Sequence, residues 1–398
     1  MPTPHPSPVF GRSAPCRIGM LSTYPPKMCG LATFAAALST HLQLAGHSVE
    51  VVQVDDGDPP LTSVVRLPIG RVAVAGVLVN GDATSVRAAA AVLSRADVAI
   101  IQHEYGIFGG PDGDEVLHLI DALDVPSIVV LHTVPLHPTP HQQEVLEAIC
   151  VRAMQVVVMS RTAHDRLLSL YAVDAAKVAD IPHGAALPSP ETDPPLIGLP
   201  QPELLTWGLL GPGKGIEHVI DALALLADLH RPPSYTVAGV THPKVFARDG
   251  DRYRHSLMRR ASAIGVSGSV TFDDTYRNVA QLTRFAASST LVVLPYDSVD
   301  QVTSGVLVDA IAAGRPVIAT DFPHARELLQ TGAGMVVPHR DPGALAAALR
   351  SVLTDPGRLE SMTNEARRLA PLLSWSAIAD RYSVLCTGLV RQREVVAS

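Results

Sequence analysis

The chain has 398 residues, more than one hydrophobic core usually organises, so its length favours two domains. Hydrophobic residues make up 47% and charged residues 17%, a composition that excludes a disordered protein. The net charge of −7, without any lysine- or arginine-rich block, argues against a nucleic-acid partner.

The cysteines and the chain start point to a cytoplasmic protein without a metal centre. No cysteine has the spacing of a zinc ligand or of a disulfide framework. The four positions are Cys16, Cys29, Cys150 and Cys386. Residues 1–15 are proline-rich without an apolar core, and no apolar run is long enough for a membrane span, so we expect a disordered tail rather than a signal peptide.

From Arg17 onward, short β-branched runs alternate with amphipathic stretches rich in alanine and leucine. This rhythm is typical of βα units and a parallel sheet. The predicted strands of the first half are Arg17–Leu21, Val49–Val54, Val98–Gln102, Ser127–Leu131, Val156–Met159 and Val178–Ile181. The predicted helices between them are Ala35–Leu44, Ala83–Leu93 and Val116–Leu123.

A segment with six prolines, 188–202, interrupts this rhythm and predicts an extended linker. The rhythm then resumes with predicted strands at Leu204–Trp207, Ser234–Ala238, Ser269–Phe272, Leu291–Leu294, Val317–Ala319 and Met335–Val337. We therefore expect an α/β fold of two Rossmann-like parallel-sheet domains facing across a cleft, an N-terminal domain at 16–187 and a C-terminal domain at 203–372. A last helix at 373–398 is expected to cross back to the first domain.

The loop after the first predicted strand holds two prolines and Gly30, and it leads directly into a helix. The free N–H groups and the dipole of a helix start favour anionic or polyhydroxyl ligands. The alternative is that Gly30 only permits a tight turn.

Two further strand ends carry polar side chains toward the same crevice. His103, Glu104 and Tyr105 follow the strand Val98–Gln102 and form a polar and aromatic set suited to a sugar acceptor. His132 ends the strand Ser127–Leu131 and points the same way. A structural His–Glu pair and a structural histidine are the alternatives.

In the second half, the glycine-rich loop 207–215 joins a strand to a helix. Its glycines allow close backbone approach, and Lys214 offers the point charge that a diphosphate needs. The loop is neither a P-loop nor a dinucleotide fingerprint. The alternative is a helix-start lysine in solvent.

The segment from Pro295 to Thr320 is the richest in candidate ligand contacts. Thr303 or Ser304 is expected to cap a helix whose free N–H groups face the cleft. Asp309, about a turn and a half further on, would reach a ribose diol, unless it is merely solvated.

These residues resemble glycosyltransferase family four, which has the GT-B fold. In that family a strand-end Gly-Arg-Leu motif precedes Lys-Gly, followed by two glutamates eight positions apart and then Gly-x-Pro-Val-Ile-Ala. The matching positions, in order, are Gly208, Lys214, Gly215, Asp309, Ala310, Gly314, Pro316 and Val317, and in the first half Gly30, His132, Ser160 and Pro182-His183-Gly184.

The resemblance implies a retaining glycosyltransferase that moves a hexose from a nucleotide-diphosphate sugar to a hydroxyl of a glycan, lipid or small molecule. It implies no metal and no cofactor, and a lipid-linked acceptor would imply peripheral membrane contact. The catalytic residues would be His132, Lys214 and Gln301. The donor-binding residues would be Gly30, Leu209, Lys214, Gln301, Thr303, Ser304, Gly305 and Asp309.

The chain departs from the family pattern at several of these positions. Leu209 stands where the family has a phosphate-binding arginine, Gln301 and Asp309 replace the two glutamates, and Ser304 replaces a glycine. Arg161 and Arg326 are candidates for the missing cation.

These departures keep an alternative function open, a non-catalytic sugar-nucleotide or glycan-binding module. A dinucleotide oxidoreductase is disfavoured because the glycine fingerprint and its acidic partner are missing. The nucleobase, the sugar, the acceptor and the oligomeric state do not follow from the sequence.

Overall fold

The computed structural model describes residues 14–27, 29–55, 72–188, 201–275 and 277–397. Within them the chain forms two parallel β-sheets with helices on both faces. Most of the predicted tail at 1–15 and of the linker at 188–202 lies outside the described residues, and the predicted domain boundaries stay predictions.

The first sheet has seven strands in the order β3-β2-β1-β4-β5-β6-β7. Its strands are β1 (Arg17–Ser22), β2 (Ser48–Asp55), β3 (Ala73–Val79), β4 (Val98–His103), β5 (Ser127–Leu131), β6 (Gln155–Val158) and β7 (Val178–Asp180). Its helices are α1 (Gly30–Leu44), α2 (Ala83–Leu93), α3 (Glu115–Asp121), α4 (Pro140–Arg152) and α5 (Arg161–Leu170).

The second sheet has six strands in the order β10-β9-β8-β11-β12-β13. Its strands are β8 (Glu203–Trp207), β9 (Ser234–Ala238), β10 (Val270–Asp273), β11 (Leu291–Leu294), β12 (Val317–Thr320) and β13 (Gly334–Val337). The helices of this half are α6 (Ile216–Ala224), α7 (Pro243–Asp249), α8 (Arg252–Ala263), α9 (Val279–Ser288), α10 (Gly305–Ala312), α11 (Pro323–Leu329), α12 (Pro342–Leu353) and α13 (Pro356–Leu369).

Each sheet contains one point where the strand order reverses, between β1 and β4 in the first and between β8 and β11 in the second. Connections leave in opposite directions there, which opens a crevice at the carboxyl ends of the two strands. His103 is the last residue of β4, Gly30 begins the helix after β1, and Lys214 and Gln301 lie in the loops after β8 and β11. The topology therefore places the predicted site residues where parallel sheets bind ligands.

The last helix, α14 (Trp375–Ala397), belongs in space to the first sheet although it follows the second. It packs along α1, and its apolar side chains lie in one cluster with those of β1 and α1. The buried side chains that it contributes include Trp375, Ile378, Tyr382, Cys386 and Leu389.

Several elements differ from the sequence prediction. Helices α4 and α5 were not among the predicted helices of the first half. Strand β3 was not predicted, because its residues lie on an edge, are mostly exposed and show no alternation of apolar and polar side chains. Helix α1 begins five residues before the predicted start at Ala35, since Cys29 caps it by accepting a hydrogen bond from the Ala32 amide at 3.4 Å. Among the described residues, no helix is both long enough and apolar enough to cross a membrane.

Candidate active site

The start of α1 is open on the side of Gly30. A β-carbon built on Gly30 meets no heavy atom within 4 Å, and the residue is exposed. The backbone of Gly30 is helical, so the turn itself does not require glycine. The open space favours the interpretation that a ligand approaches the backbone here.

A cluster of aromatic rings lies behind this helix start. The ring of Phe34 makes edge contacts with His132 at 4.9 Å and with His183 at 5.0 Å between ring centroids. His132 Nε2 lies 2.8 Å from Gln102 Oε1, and since this amide oxygen only accepts, Nε2 carries the hydrogen. Burial, with His183 and His103 nearby, lowers the pKa of His132 to about 3. His132 is therefore a neutral imidazole at physiological pH, with a lone pair left on Nδ1.

The three predicted acceptor residues differ in burial: His103 is buried, and Glu104 and Tyr105 are half-buried. His103 has no exposed surface, and its ring lies against Tyr105 at 5.1 Å with both nitrogens unpartnered among the described residues. Burial lowers the pKa of His103 to about 4. His103 thus lies beneath the predicted acceptor surface and not on it.

Glu104 and Tyr105 are half-buried and join neighbouring loops. Glu104 accepts hydrogen bonds from the Thr133 hydroxyl at 2.5 Å and from the Tyr105 amide at 3.2 Å, and burial raises its pKa. The Tyr105 hydroxyl donates to the Gln142 carbonyl at 3.2 Å. The carboxylate of Glu104 is therefore paired with Thr133 and not with His103.

Lys214 is held between the loops that follow β8 and β11. Its Nζ lies 4.5 Å from the centre of the Tyr296 ring, and burial lowers its pKa. Gly215, with φ of 66°, allows this packing, because a β-carbon there would lie 1.8 Å from the Pro295 carbonyl oxygen. The described residues place no carboxylate within ion-pair distance of Lys214. A half-buried cation without a carboxylate partner favours an anionic ligand over the helix-start lysine in solvent.

The start of α10 faces the first domain. Ser304, and not Thr303, caps the helix, since its hydroxyl accepts from the Leu307 amide at 3.3 Å. The Ser304 amide donates to His324 Nδ1 at 2.8 Å. Gly305 follows, and a β-carbon there would lie 3.0 Å from Nε2 of His183. Glycine at this position thus lets a ring of the first domain approach the helix start.

In the sequence, Gln301 precedes the start of α10 and Asp309 follows it. The Gln301 side-chain amide donates to the Thr303 carbonyl at 3.0 Å, which fixes its orientation. Asp309 lies on α10, and burial raises its pKa to about 7. Within the described part of the chain no cation pairs with Asp309, so its carboxyl favours the protonated form more than an exposed aspartate does.

Neither arginine proposed as a second cation is free of a counter-charge. Arg161 pairs with Asp165 at 3.0 Å and Arg326 with Asp321 at 2.7 Å, and both side chains are more exposed than buried. Leu209 is half-buried and brings no charge. Among these three candidate positions, Lys214 is thus the cation that has no counter-charge in the described part of the chain.

Three side chains near Lys214 bring possible metal-ligand atoms within 4.8 Å of one another, those of Glu217, His218 and Asp297. Asp297 is also bound by Arg340 at 3.1 Å, and that cation lowers the pKa of the carboxyl. Glu217 accepts a hydrogen bond from the Tyr253 hydroxyl at 2.8 Å. The expectation of a site without metal stays a prediction.

Sequence reasoning missed three residues that join the two halves, Arg166, Asp300 and Glu327. Their contacts span 134 to 166 residues of chain. No local pattern signals such distant pairs, and only the folded arrangement identifies them.

The two domains, their facing crevices and this set of strand-end residues define a GT-B protein. The model of the family described as "Glycosyltransferase Family 4" matches residues 28–187, and that of "Glycosyl transferases group 1" matches residues 192–369. Together the two matches cover most of the chain, and this pair is typical of GT-B glycosyltransferases of the family-four type.

Curated relatives cover part of the chain. Glycogen synthase of Mycobacterium tuberculosis is 27% identical over 233 residues, which are 56% of this chain and 51% of that protein. D-inositol 3-phosphate glycosyltransferase 1 of Catenulispora acidiphila is 27% identical over 245 residues, 59% of this chain and 57% of that protein. The matches thus span somewhat more than half of the length of these relatives.

Solved structures share the fold over nearly the whole chain. Sucrose-phosphate synthase of Thermosynechococcus elongatus has a TM-score of 0.68 at 18% identity, covering 96% of this chain and 100% of that one. HepE of Anabaena, in complex with UDP and glucose, has a TM-score of 0.70 at 17% identity, covering 94% and 100%.

Proposed function

We propose that the protein is a retaining glycosyltransferase that moves a hexose from a nucleotide-diphosphate sugar to a hydroxyl of a glycan, lipid or small molecule. The observation that carries the proposal is Lys214, a desolvated ammonium without a carboxylate partner among the described residues, in the loop after β8. The two family matches support it, as does the crystallisation of HepE with UDP-glucose.

We assign roles to the predicted residues whose environments suit them. Lys214 neutralises the leaving diphosphate, together with the free N–H groups at the starts of α1 and α10. Gln301 holds sugar hydroxyls, and Asp309 holds the ribose diol. His132, as a neutral imidazole, accepts a hydrogen bond from the transferred sugar through Nδ1. Glu104 and Tyr105 form the acceptor surface, with His103 packed beneath them.

The proposed reaction needs no protein nucleophile. The acceptor oxygen forms a bond to the anomeric carbon on the face from which the diphosphate departs. The bond between that carbon and the phosphate oxygen breaks, and the phosphate oxygen takes the acceptor's proton. The main task of the protein is then to stabilise the charge that develops on the diphosphate.

A binding screen tests the donor assignment. The full chain is titrated with individual sugar nucleotides, starting with UDP-glucose, and binding is measured by calorimetry and thermal shift. We expect Lys214→Ala to weaken binding by about 10- to 100-fold, the range for loss of one charge-assisted contact. Lys177→Ala is the matched control, because the Nζ of Lys177 binds carbonyls at the end of α4, and Lys177 does not belong to the loops after β8 and β11. Failure of every sugar nucleotide to bind would reject the proposal.

The alternative is a non-catalytic sugar-nucleotide or glycan-binding module. It is favoured by Leu209 and Gln301, which bring no charge where a transferase of this family has arginine and glutamate. A transfer product that is formed by the wild type and lost in His132→Ala would exclude this alternative.

We also propose that transfer does not depend on a metal. With EDTA present, we expect the affinity for UDP-glucose to stay within about twofold, because Lys214 and helix N–H groups supply the positive potential. A loss of binding that Mg²⁺ or Mn²⁺ restores would contradict this and would direct attention to Glu217, His218 and Asp297. Cytoplasmic location and peripheral membrane contact are further expectations of the same proposal.

A further inference from the structure

The second domain contacts helix α5 of the first domain at two separate places. At the helix start, the carboxylate of Glu327, on α11, accepts hydrogen bonds from the amides of Arg161 at 2.7 Å and Thr162 at 2.9 Å. It also accepts from the Thr162 hydroxyl at 3.1 Å. A carboxylate of one domain therefore caps a helix of the other, where the helix dipole favours negative charge.

The second contact joins Arg166 to Asp300. Arg166 is 7% exposed and its Nη1 lies 2.5 Å from Asp300 Oδ1. The same nitrogen donates to the Val134 carbonyl at 2.8 Å and faces the Asp300 carbonyl at 3.4 Å. The other carboxylate oxygen of Asp300 accepts from the Leu136 amide at 3.3 Å. This pair is more enclosed than the surface ion pairs that contribute little, because Arg166 is almost fully desolvated.

A hydrophobic contact reinforces the pair. Val302 belongs to the second half of the chain, yet it is 5% exposed and lies in the apolar cluster of the first domain. Val134, Ala163 and Leu167 belong to the same cluster. The loop after β11 is thus seated in the first domain by an apolar side chain as well as by a charge.

These contacts bracket the predicted site. Asp300 and Val302 stand on either side of Gln301, and the groups that receive them, at Val134 and Leu136, follow His132 by two and four residues. Glu327 is held on α11, three residues after His324, which binds the Ser304 amide. Both contacts therefore fix the donor loop, which is the loop 295–304 between β11 and α10, relative to the loop that carries His132.

We propose that Asp300, Arg166 and Val302 are positioning residues that seat the donor loop in the first domain and so set Gln301 and His132 in register for transfer. Glu327 holds the same helix at its start. This inference rests on the proposed function. In this inference Asp300, Arg166 and Val302 affect the geometry of the site and not the affinity for the donor. We call these three residues the seat; Lys214 and Asp309 are not part of it.

The first experiment examines the seat without any ligand. Hydrogen exchange is measured on the full chain for wild type, Asp300→Asn and Asp165→Asn. Asp165 is the matched control, because it pairs with Arg161 within α5 and is largely exposed. We expect Asp300→Asn alone to speed exchange in segments 132–138 and 298–304, with unchanged exchange in the strands of both sheets. Unchanged exchange in both segments would overturn the proposal.

The second experiment separates positioning from binding. We expect Asp300→Asn to lower kcat for UDP-glucose turnover by about tenfold or more, since small misplacement of reacting groups is costly. UDP should bind within about twofold of the wild type, and Asp300→Glu, which keeps the charge, should recover part of kcat. Equal losses in kcat and in UDP affinity would overturn the positioning role. If the wild type binds no UDP, the donor proposal fails, while the exchange experiment still decides whether the seat exists.

Discussion

At the scale of single residues, the proposed donor site is notable for ionisable groups that have no opposite charge beside them among the described residues. Burial lowers the pKa of Lys214 and raises that of Asp309, and each shift favours the neutral form of the side chain. Leaving such groups unpaired costs stability in the free protein. In the proposed function a donor would relieve both costs, because its diphosphate would pair with the ammonium and its ribose diol would hydrogen-bond the carboxyl. Shifted pKa values of this kind are typical of binding sites.

Asp309→Asn should make the free protein more stable at high pH. The pKa of Asp309 is raised to about 7, so the folded state holds its proton more tightly than the unfolded state. Stability from this group is present below about pH 4 and is lost as the pH rises through 7. We expect the variant to exceed the wild type by roughly 2–4 kcal/mol at pH 8, with little difference at pH 4. Urea unfolding at the two pH values measures this.

The same substitution should weaken donor binding, because an amide replaces a carboxyl at the ribose. A variant that is less stable than the wild type at pH 8 would contradict the unpaired state of Asp309. The histidines with lowered pKa values, such as His132 and His183, are common to both proteins, so the difference between them isolates Asp309.

Motif residues were predictable at this scale, and their partners were not. Lys214, Ser304 and Asp309 stand at fixed short distances from strand ends, so their positions follow from the βα pattern. The ion pairs of Arg161 and Arg326 are local, with partners four and five residues away, whereas the burial of His103 depends on side chains brought in from other elements. Sequence spacing does not contain that information.

At the scale of elements, two glycines in comparable loops serve different purposes. Gly30 begins α1 and has open space where a β-carbon would be. Gly184 follows β7, and a β-carbon there would lie 2.3 to 2.8 Å from ring atoms of Trp375 on α14. Gly30 therefore leaves room for a ligand, while Gly184 leaves room for the protein's own helix.

Replacing each glycine by alanine should separate these purposes. Gly30→Ala should leave the melting temperature unchanged or slightly higher, because alanine suits a helix start, and it should weaken UDP-glucose binding. Gly184→Ala should destabilise the fold by about 1–3 kcal/mol through overpacking against Trp375. Calorimetric melting and titration of both variants give the comparison. Equal effects of the two substitutions on stability would refute the distinction.

Elements with a strong pattern were predicted well. Ser127–Leu131, Ser234–Ala238 and Leu291–Leu294 have the predicted bounds, because short β-branched runs between turns indicate buried parallel strands. Strand β3 escaped because an edge strand with exposed residues lacks that signal. The early start of α1 escaped because a cysteine acts as its cap.

At the scale of the whole molecule, α14 follows the second sheet in the sequence but packs against the first sheet and α1. His47, after α1, has Nε2 at 2.9 Å from the Ser383 hydroxyl, and Tyr382 is fully buried in the first-domain core. The first sheet therefore depends on residues more than 300 positions further along the chain. Large burial of this kind makes α14 part of the first domain's core and not an appendage.

A chain that ends after Leu373 should lose the first domain's stability. It lacks Ile378, Tyr382 and Leu389, so α1 would expose the apolar surface that these residues cover. We expect a lower melting temperature, dye binding to exposed apolar surface and aggregation. A chain that ends after Arg393 is the control, since it keeps every buried position of α14 named here. Equal stability of the two truncated chains would contradict this role.

The position of α14 also sets the order of events during synthesis. Domains generally fold from the N-terminus as the chain emerges, but we expect the first domain to complete its core only after α14 has been made. The strands of 203–337 emerge before α14 does, and they can pair while the apolar surface of α1 that α14 will cover is still exposed. Termination of synthesis before Trp375 would therefore leave the first domain without the buried side chains of α14.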